Sequence, residues 1–321
     1  MTLASQLPWT PGSFPLMLAP MQGLTNRALR GLFVERYRPD VVFTEYVLVK
    51  TDRGEPISRS DRQEVGAAEG GVPLIVQLIG GDPEAMLAAA RAVQELGAAH
   101  LNINLGCPYG RMARKVAGGT LLGEPEQLAT LLKLLRPAIR GSFSVKARSG
   151  VDDPGQLPRL VELFEECGVD FLIVHPRTVR QRYNGPADHR VTAEVVRRTR
   201  LPVIANGDIF TEEDGRRVRA QTGAAGLMLG RGAIADPFLF RRLRSDYPAV
   251  SHPELKAAEV RDYLLALLAR YEELFCGEQQ VLYKMKEVVS QMQALEAIEG
   301  THRLLRCRKL AHFTGLLRDL A

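Results

Sequence analysis

The chain has 321 residues, 45% of them hydrophobic and 25% charged, with a formal net charge of +5 and a pI near 9.1. That composition excludes a disordered or fibrous chain, and the length exceeds the roughly 250 residues of a single α/β barrel, leaving room for an accessory unit. The longest apolar runs, Leu74 to Ile79 and Phe171 to Val174, are far shorter than the roughly 20 residues that span a bilayer. Met1 to Thr10 lacks a basic start with an apolar centre, so the expected location is cytoplasmic, with no membrane partner. The four cysteines, Cys107, Cys167, Cys276 and Cys307, show no CxxC spacing, so no metal site is expected and the thiols read as free. A mildly basic balance favours a polyanionic partner, although many enzymes that never meet nucleic acid share it.

In chain order, short β-branched or apolar runs alternate with helical patterns. The runs are PLMLAP (15–20), VVFTEY (41–46), PLIVQLIG (73–80), HLNINLG (100–106), FSVKARSG (143–150), DFLIVHPR (170–177), LPVIANGD (201–208) and AAGLMLGR (224–231). Intervening segments such as EAMLAAARAVQELG and EQLATLLKLLRPAI place apolar residues three and four apart, as helices covering a parallel sheet do. Two architectures accommodate such repeats, a doubly wound sheet and a (β/α)8 TIM barrel. The barrel is favoured because the strand ends carry Glu45, Gln77, Asn102 with Asn104, Lys146 with Arg148, His175, Asn206 with Asp208, and Arg231, which one barrel mouth can collect. After Leu243 the strand signals stop and helices are expected at about 253–275, 279–295 and 300–319. The expected division is a catalytic barrel over 1–245 and a small C-terminal helical domain over 246–321, separated near SDYPAVSHPE, where Pro248 and Pro253 break the pattern.

Several of these residues point to chemistry. In NIN and VKAR the polar residues are two apart, so Asn102 and Asn104, and likewise Lys146 and Arg148, project from one side of their strands. A lysine inside a barrel is costly unless it meets an anion or a reacting group; the alternative is a structural lysine that snorkels outward. Cys107 sits in a Gly-Cys-Pro turn beside Gly106, Gly110, Gly118 and Gly119, a poor place to bury a small hydrophobe. His175 reads equally as a satisfied core histidine and as a functional one. GRGAIA (230–235) matches a dinucleotide pattern but follows the last strand instead of the first. In a barrel, ANGD (205–208) and GRG (230–232) are instead the loops after the seventh and eighth strands, which bind phosphate.

Taken together, the motifs resemble the tRNA-dihydrouridine synthases over nearly the whole chain. APMQGLTN (19–26), TEY (44–46), VQLIGGDPEAM (76–86), NINLGCPYGRMARKVAGGTLL (102–122), VKARSG (145–150), VHPRT (174–178), VIANGDI and MLGRGA follow the family's order. TEYV and LYKMKEVVSQM are most similar to the C-type bacterial enzymes. The resemblance implies an FMN cofactor held by Pro20, Met21, Gln22, Gln77, Lys146, His175, Asn206, Gly207, Asp208, Gly230 and Arg231, with NADPH or NADH as reductant. It implies Cys107 as proton donor and Asn104 and Arg148 facing the substrate nucleotide. Three departures stand out: Asn102 where aspartate is common, Pro176 in place of a glycine, and Leu48 where a basic residue is expected in C-type members.

The chemistry so implied is reduction of the uracil C5=C6 bond, by hydride to C6 and a proton to C5. Reduced FMN carries the hydride, while the protein contributes placement and electrostatics. A thiol, largely protonated at neutral pH, suits the acid role. A base inside tRNA has to leave its stack to enter a barrel mouth. The helical domain is expected to hold the surrounding backbone through Lys284, Lys286, Arg303, Arg306, Arg308 and Lys309, with Arg111, Arg114 and Lys115 on the barrel rim as an alternative. The protein is expected to act as a monomer. Three rival readings stay open: a flavin barrel acting on a free pyrimidine or small enone, a Schiff-base aldolase using Lys146, and a non-catalytic tRNA chaperone.

Overall fold

The computed structural model describes residues 7–51, 54–67, 70–108, 117–245, 253–292 and 301–320. Nine strand segments form one parallel sheet: β1 (Leu16–Leu18), β2 (Val42–Phe43), β3 (Val47–Leu48), β4 (Leu74–Ile79), β5 (His100–Leu105), β6 (Phe143–Arg148), β7 (Phe171–His175), β8 (Val203–Asn206) and β9 (Gly226–Leu229). Their order is β1-β9-β8-β7-β6-β5-β4-β2, with β3 also paired to β4. A bridge between Met17 and Val41 closes the ring, with the Leu18 amide donating to the Val41 carbonyl at 3.0 Å. A doubly wound sheet leaves two open edges, whereas this sheet returns to its first strand, so the architecture is a barrel. The expected 41–46 strand is interrupted: Glu45 accepts the Gly23 amide at 2.8 Å instead of continuing the ladder, and β2 and β3 pair with β4 on either side of it.

Strand alternation decides what faces inward. On β5, Leu101, Ile103 and Leu105 pack outward under the helices, as do Val145 and Ala147 on β6 and Leu172 and Val174 on β7. The opposite set fills the barrel. Its lower layers are apolar, built from Met17, Phe43, Ile75, Phe171, Ile173, Ile204 and Met228. Trp9 stacks edge-on against Phe171 at 4.8 Å, so this end is plugged. One step further along each strand the inward positions turn polar, with Gln77, Asn104, Lys146, His175 and Asn206, and that change of layer creates the mouth.

The C-terminal region contains the helices Pro253–Leu274, Glu278–Gln291, Thr301–Arg306 and Leu310–Arg318. The single helix expected over 300–319 is therefore two. Lys309, at φ −126° and ψ 138°, is extended and starts the last helix, which leaves Arg308 and Lys309 in the break. The expected boundary at 246–252 and the end of the 279–295 helix lie outside the described residues, as do Arg111, Arg114 and Lys115. The two regions share one core: Leu29, Leu32, Phe33 and Tyr37 pack in the same buried cluster as Tyr263, Leu264, Met285 and Phe313. Arg242 adds a buried polar clasp, donating to Glu259 at 2.6 Å and to Asp236, which Lys256 also meets at 2.9 Å. Among the described residues no helix is long and apolar enough to cross a membrane, and no group of three or more His, Cys, Asp or Glu side chains could hold a metal ion.

Candidate active site at the barrel mouth

A cavity of about 480 Å³ opens at the carboxyl ends of the strands, lined among others by Met21, Tyr46, Asn104, Cys107, Lys146 and His175. A narrower recess of about 70 Å³ adjoins it beneath Asn206, Gly207, Asp208, Gly230, Arg231 and Gly232. Pro20, Met21, Lys146, His175, Tyr183 and Arg231 line both, so the two are one continuous site. Register assembles it: Asn104 on β5 pairs with Lys146 on β6, and Arg148 on β6 with His175 on β7.

Lys146 is the centre of the electrostatics. Among the described residues it has no carboxylate partner and no hydrogen bond. Burial, reinforced by the neighbouring Arg148, pushes its ammonium down to about 7, with Cys107 acting in the opposite direction. His175 is 7% exposed, and burial together with Lys146, Arg148, Arg177 and Arg231 holds it well below the ordinary histidine range, so the ring is neutral. The Arg177 guanidinium lies 3.2 Å from Nε2 of His175. Since arginine can only donate, Nε2 accepts and the ring proton belongs on Nδ1.

The asparagine of the strand end has a structural task. Asn104 Oδ1 accepts the amides of Gly106 and Cys107, both at 2.9 Å, and so shapes the cysteine turn. Its amide group donates to Gln77 Oε1 at 2.7 Å, Gln77 donates to Asn102 at 2.8 Å, and Asn102 donates to Ser144 at 2.8 Å. Gln77, expected among the cofactor contacts, is 0% exposed with both ends of its amide engaged, and it supports the mouth from below. Arg148, expected to face substrate, is 2% exposed and braces three carbonyls, those of Gly106 at 2.8 Å, Thr178 at 2.9 Å and Arg182 at 2.6 Å. It ties the Cys107 turn to the loop after β7.

Asp208, expected among the cofactor contacts, lines the recess. A carboxylate repels phosphate, and this one accepts from Arg177 at 2.6 Å, from the Ala187 amide at 2.8 Å and from Arg231 at 3.3 Å. It therefore holds two arginines in place at the recess. Arg231 stays half-exposed over the Tyr183 ring, 4.5 Å from its centroid. Gly207, at φ +126°, lets the chain pass His175 closely; a Cβ there would stand 3.2 Å from the ring. Asn206 donates to the Met228 carbonyl at 2.9 Å. Pro20 and Met21 line both cavities and Gln22 the larger one, where the Met21 amide donates to Thr25 Oγ1 at 2.8 Å.

Cys107 is half-buried, packed with Tyr46 against Ile79 and Ala117, and reaches the large cavity from the side opposite the recess loops. Lys284, expected to meet tRNA, donates its ammonium to the Gly23 carbonyl at 3.1 Å and to Glu287 at 2.7 Å, which anchors its helix to the barrel rim. Lys286 is half-buried, whereas Arg303, Arg306, Arg308 and Lys309 are exposed. The sequence reading missed Arg177, Tyr183, Tyr46 and Gln291. Tyr183 carried a signal, as an aromatic between RQR and NGP in the loop that follows a strand. Gln291 carried none, because it reaches the cavity from another region of the fold.

Comparison with known proteins adds a second line. The family model described as Dihydrouridine synthase (Dus) matches residues 17–306. The chain is 34% identical over 265 residues to tRNA-dihydrouridine synthase B of Vibrio cholerae, covering 82% of this chain and 81% of that one. It is likewise 34% identical over 265 residues to the tRNA-dihydrouridine(16) synthase of Cupriavidus necator, covering 79% and 82%. Relatives with both kinds of name thus match equally well. Among solved structures, "Crystal structure of TcOYE with pHBA" aligns with a TM-score of 0.54 at 12% identity over 78% of this chain, a likeness of fold.

Proposed function

The chain belongs to the dihydrouridine synthase family, and from that premise we propose that it reduces a uridine of tRNA to 5,6-dihydrouridine, using bound FMN and electrons from NADPH. The observation that carries the reading is that two cations, Lys146 and Arg231, and a thiol, Cys107, line one cavity. The donor set fits FMN. The recess offers Arg231 and glycine-exposed backbone at Gly230 and Gly232, while its one carboxylate, Asp208, is committed to two arginines, so the recess favours a phosphate. Lys146 and the Nδ1 proton of His175 would face the oxygen-rich edge of the flavin ring, with Met21 and Pro20 as apolar contacts. When bound and reduced, the flavin supplies a hydride to C6 of uracil.

The remaining work falls to the protein. Cys107 holds the proton destined for C5, where enolate-like charge develops once C6 has gained its hydride. Asn104 and Arg148 act through it: the first fixes the turn amides, the second locks the Gly106 carbonyl, and together they set where the thiol stands. The exposed arginines of the C-terminal helices would meet the tRNA backbone.

Removing the thiol tests the assignment. Cys107→Ala should purify with flavin and accept electrons from NADPH, since neither task uses the thiol. Dihydrouridine formation in an unmodified tRNA transcript should fall by roughly 100- to 10,000-fold, the usual range for a positioned proton donor. Wild-type product formation by this variant would make Cys107 a structural residue.

A further inference from the structure

Tyr283 is 60% exposed, more than Tyr183 at 46% or Leu48 at 37%, the other exposed large hydrophobics among the described residues. Nothing in the proposed chemistry uses it. Its position on the helix Glu278–Gln291 is informative. Gln279, Tyr283, Glu287 and Gln291 recur every four residues, so each stands about 6 Å further along the axis and about 40° around it. At one end Gln279 donates to the Arg308 carbonyl at 3.3 Å, in the break that also holds Lys309. At the other end Gln291 lines the cavity containing Cys107 and Lys146. The stripe therefore runs from the basic break to the catalytic mouth, on a helix pinned to the rim by the bond from Lys284 to Gly23.

The ring also stands beside charged neighbours. Its phenol is influenced by the neighbouring Glu287 carboxylate, and the Lys284 ammonium lies 5.7 Å from the ring centroid. The Glu287 charge is matched by Lys284 at 2.7 Å, so the stripe does not oppose an anionic strand. The other fully exposed positions of the helix, Glu278, Gln279, Gln280 and Ser290, are polar, and the neighbouring basic set Arg303, Arg306, Arg308 and Lys309 is exposed. Among the described residues of this helix and the neighbouring basic set, a protein partner would find no further large exposed apolar side chain. An unpaired nucleobase needs only one ring to stack on and cations for its phosphates.

We propose that Tyr283 is a stacking platform for an unpaired base of the tRNA, placed on the path by which the strand travels from the basic break at Arg308 to the cavity. The inference rests on the tRNA reading above and adds a residue to it. Tyr283 lies eight residues, about 12 Å, along the helix from Gln291, so the stacked base is a neighbour of the target uridine and not the target itself.

The test is filter binding of an unmodified tRNA transcript at several salt concentrations to wild type, Tyr283→Ala and Tyr283→Phe, with flavin reduction by NADPH measured alongside. Loss of one stacked base corresponds to roughly a 5- to 150-fold weaker affinity, expected for Tyr283→Ala and largely restored in Tyr283→Phe. The log–log salt slope should match wild type in both variants, because no phosphate contact is removed, and flavin reduction should be unchanged. Equal affinity of Tyr283→Ala and wild type overturns the platform while leaving the tRNA reading intact, as does a shallower salt slope in the alanine variant. If wild type itself shows no salt-sensitive tRNA binding, the tRNA reading fails first and the platform with it.

Discussion

At the scale of single residues, Lys146 is a cation kept apart from any anion, and that has a pH signature. Its ordinary value of 10.5 is pushed down to about 7, chiefly by burial. The folded protein therefore binds fewer protons than the unfolded chain between those two values, and stability rises with pH across the window. That stability is lost as pH falls through about 7 and the half-buried ammonium charges. An anionic group in the cavity reverses the preference, so binding FMN to apoprotein should take up a proton. The apparent affinity should then weaken as pH rises above about 7, by at most about tenfold per pH unit. Lys146→Met should bind FMN more weakly at neutral pH and show a flat profile in the same fluorescence titration; an unchanged slope would assign the proton to another group. His175 makes no such contribution near neutrality, since it is already neutral there.

Between residues and the whole molecule lies the layer of strands, and here the polar relay across β4, β5 and β6 carries the argument. Gln77, 0% exposed, satisfies Asn102 and Asn104 at once. Gln77→Leu keeps the volume but strands a buried acceptor on Asn102 and a donor on Asn104, at about 1–3 kcal/mol for each. The variant should show a lower denaturation midpoint and, because Asn104 shapes the turn amides of Cys107, slower dihydrouridine formation at unchanged flavin content. Normal stability would mean that the relay is dispensable. The strands themselves were legible, since β-branched runs and a period of two decide which residues face inward, and that placed Lys146, His175 and Cys107 at one mouth. What those residues touch was not legible. The task of Arg148 depends on Thr178 and Arg182, whose carbonyls a later loop brings back to it, and the second arginine of the Asp208 pair, Arg177, stood in a motif as an unremarkable strand-end residue. Sequence pattern reports which face a side chain takes; it does not report which partner consumes its hydrogen bonds. The split of the last helix was hidden for a related reason, because THRLLRCRKLAHF keeps helical spacing through the break at Lys309.

For the molecule as a whole, the change from βα units to helices suggests two domains, while the packing joins them. Phe33 and Tyr37, on a barrel helix, meet Tyr263 at 6.1 and 5.9 Å between ring centroids, and all three are buried. Asn26, which caps that same barrel helix, donates to the Tyr271 hydroxyl at 3.3 Å. Arg242 is 5% exposed and meets Glu259 on the C-terminal side at 2.6 Å. A chain ending at Ser245 would strip Phe33 and Tyr37 of Tyr263 and open the C-terminal side of the shared cluster to water, at about 1.5–3 kcal/mol for each large apolar side chain uncovered, and would strip Arg242 of one carboxylate. Those sums reach the 5–15 kcal/mol by which a typical folded protein is stable. The truncated chain should therefore fail to fold as an independent barrel, appearing as insoluble or strongly dye-binding protein, and the full-length apoprotein should lose near- and far-ultraviolet circular dichroism in one coincident thermal transition. Two separated transitions in the full chain, or a soluble truncated barrel that retains flavin, would make the helical region a true second domain. On the shared core described here, the surface that carries Tyr283 and the exposed arginines is rigidly tied to the catalytic mouth, so the tRNA would meet both as one body.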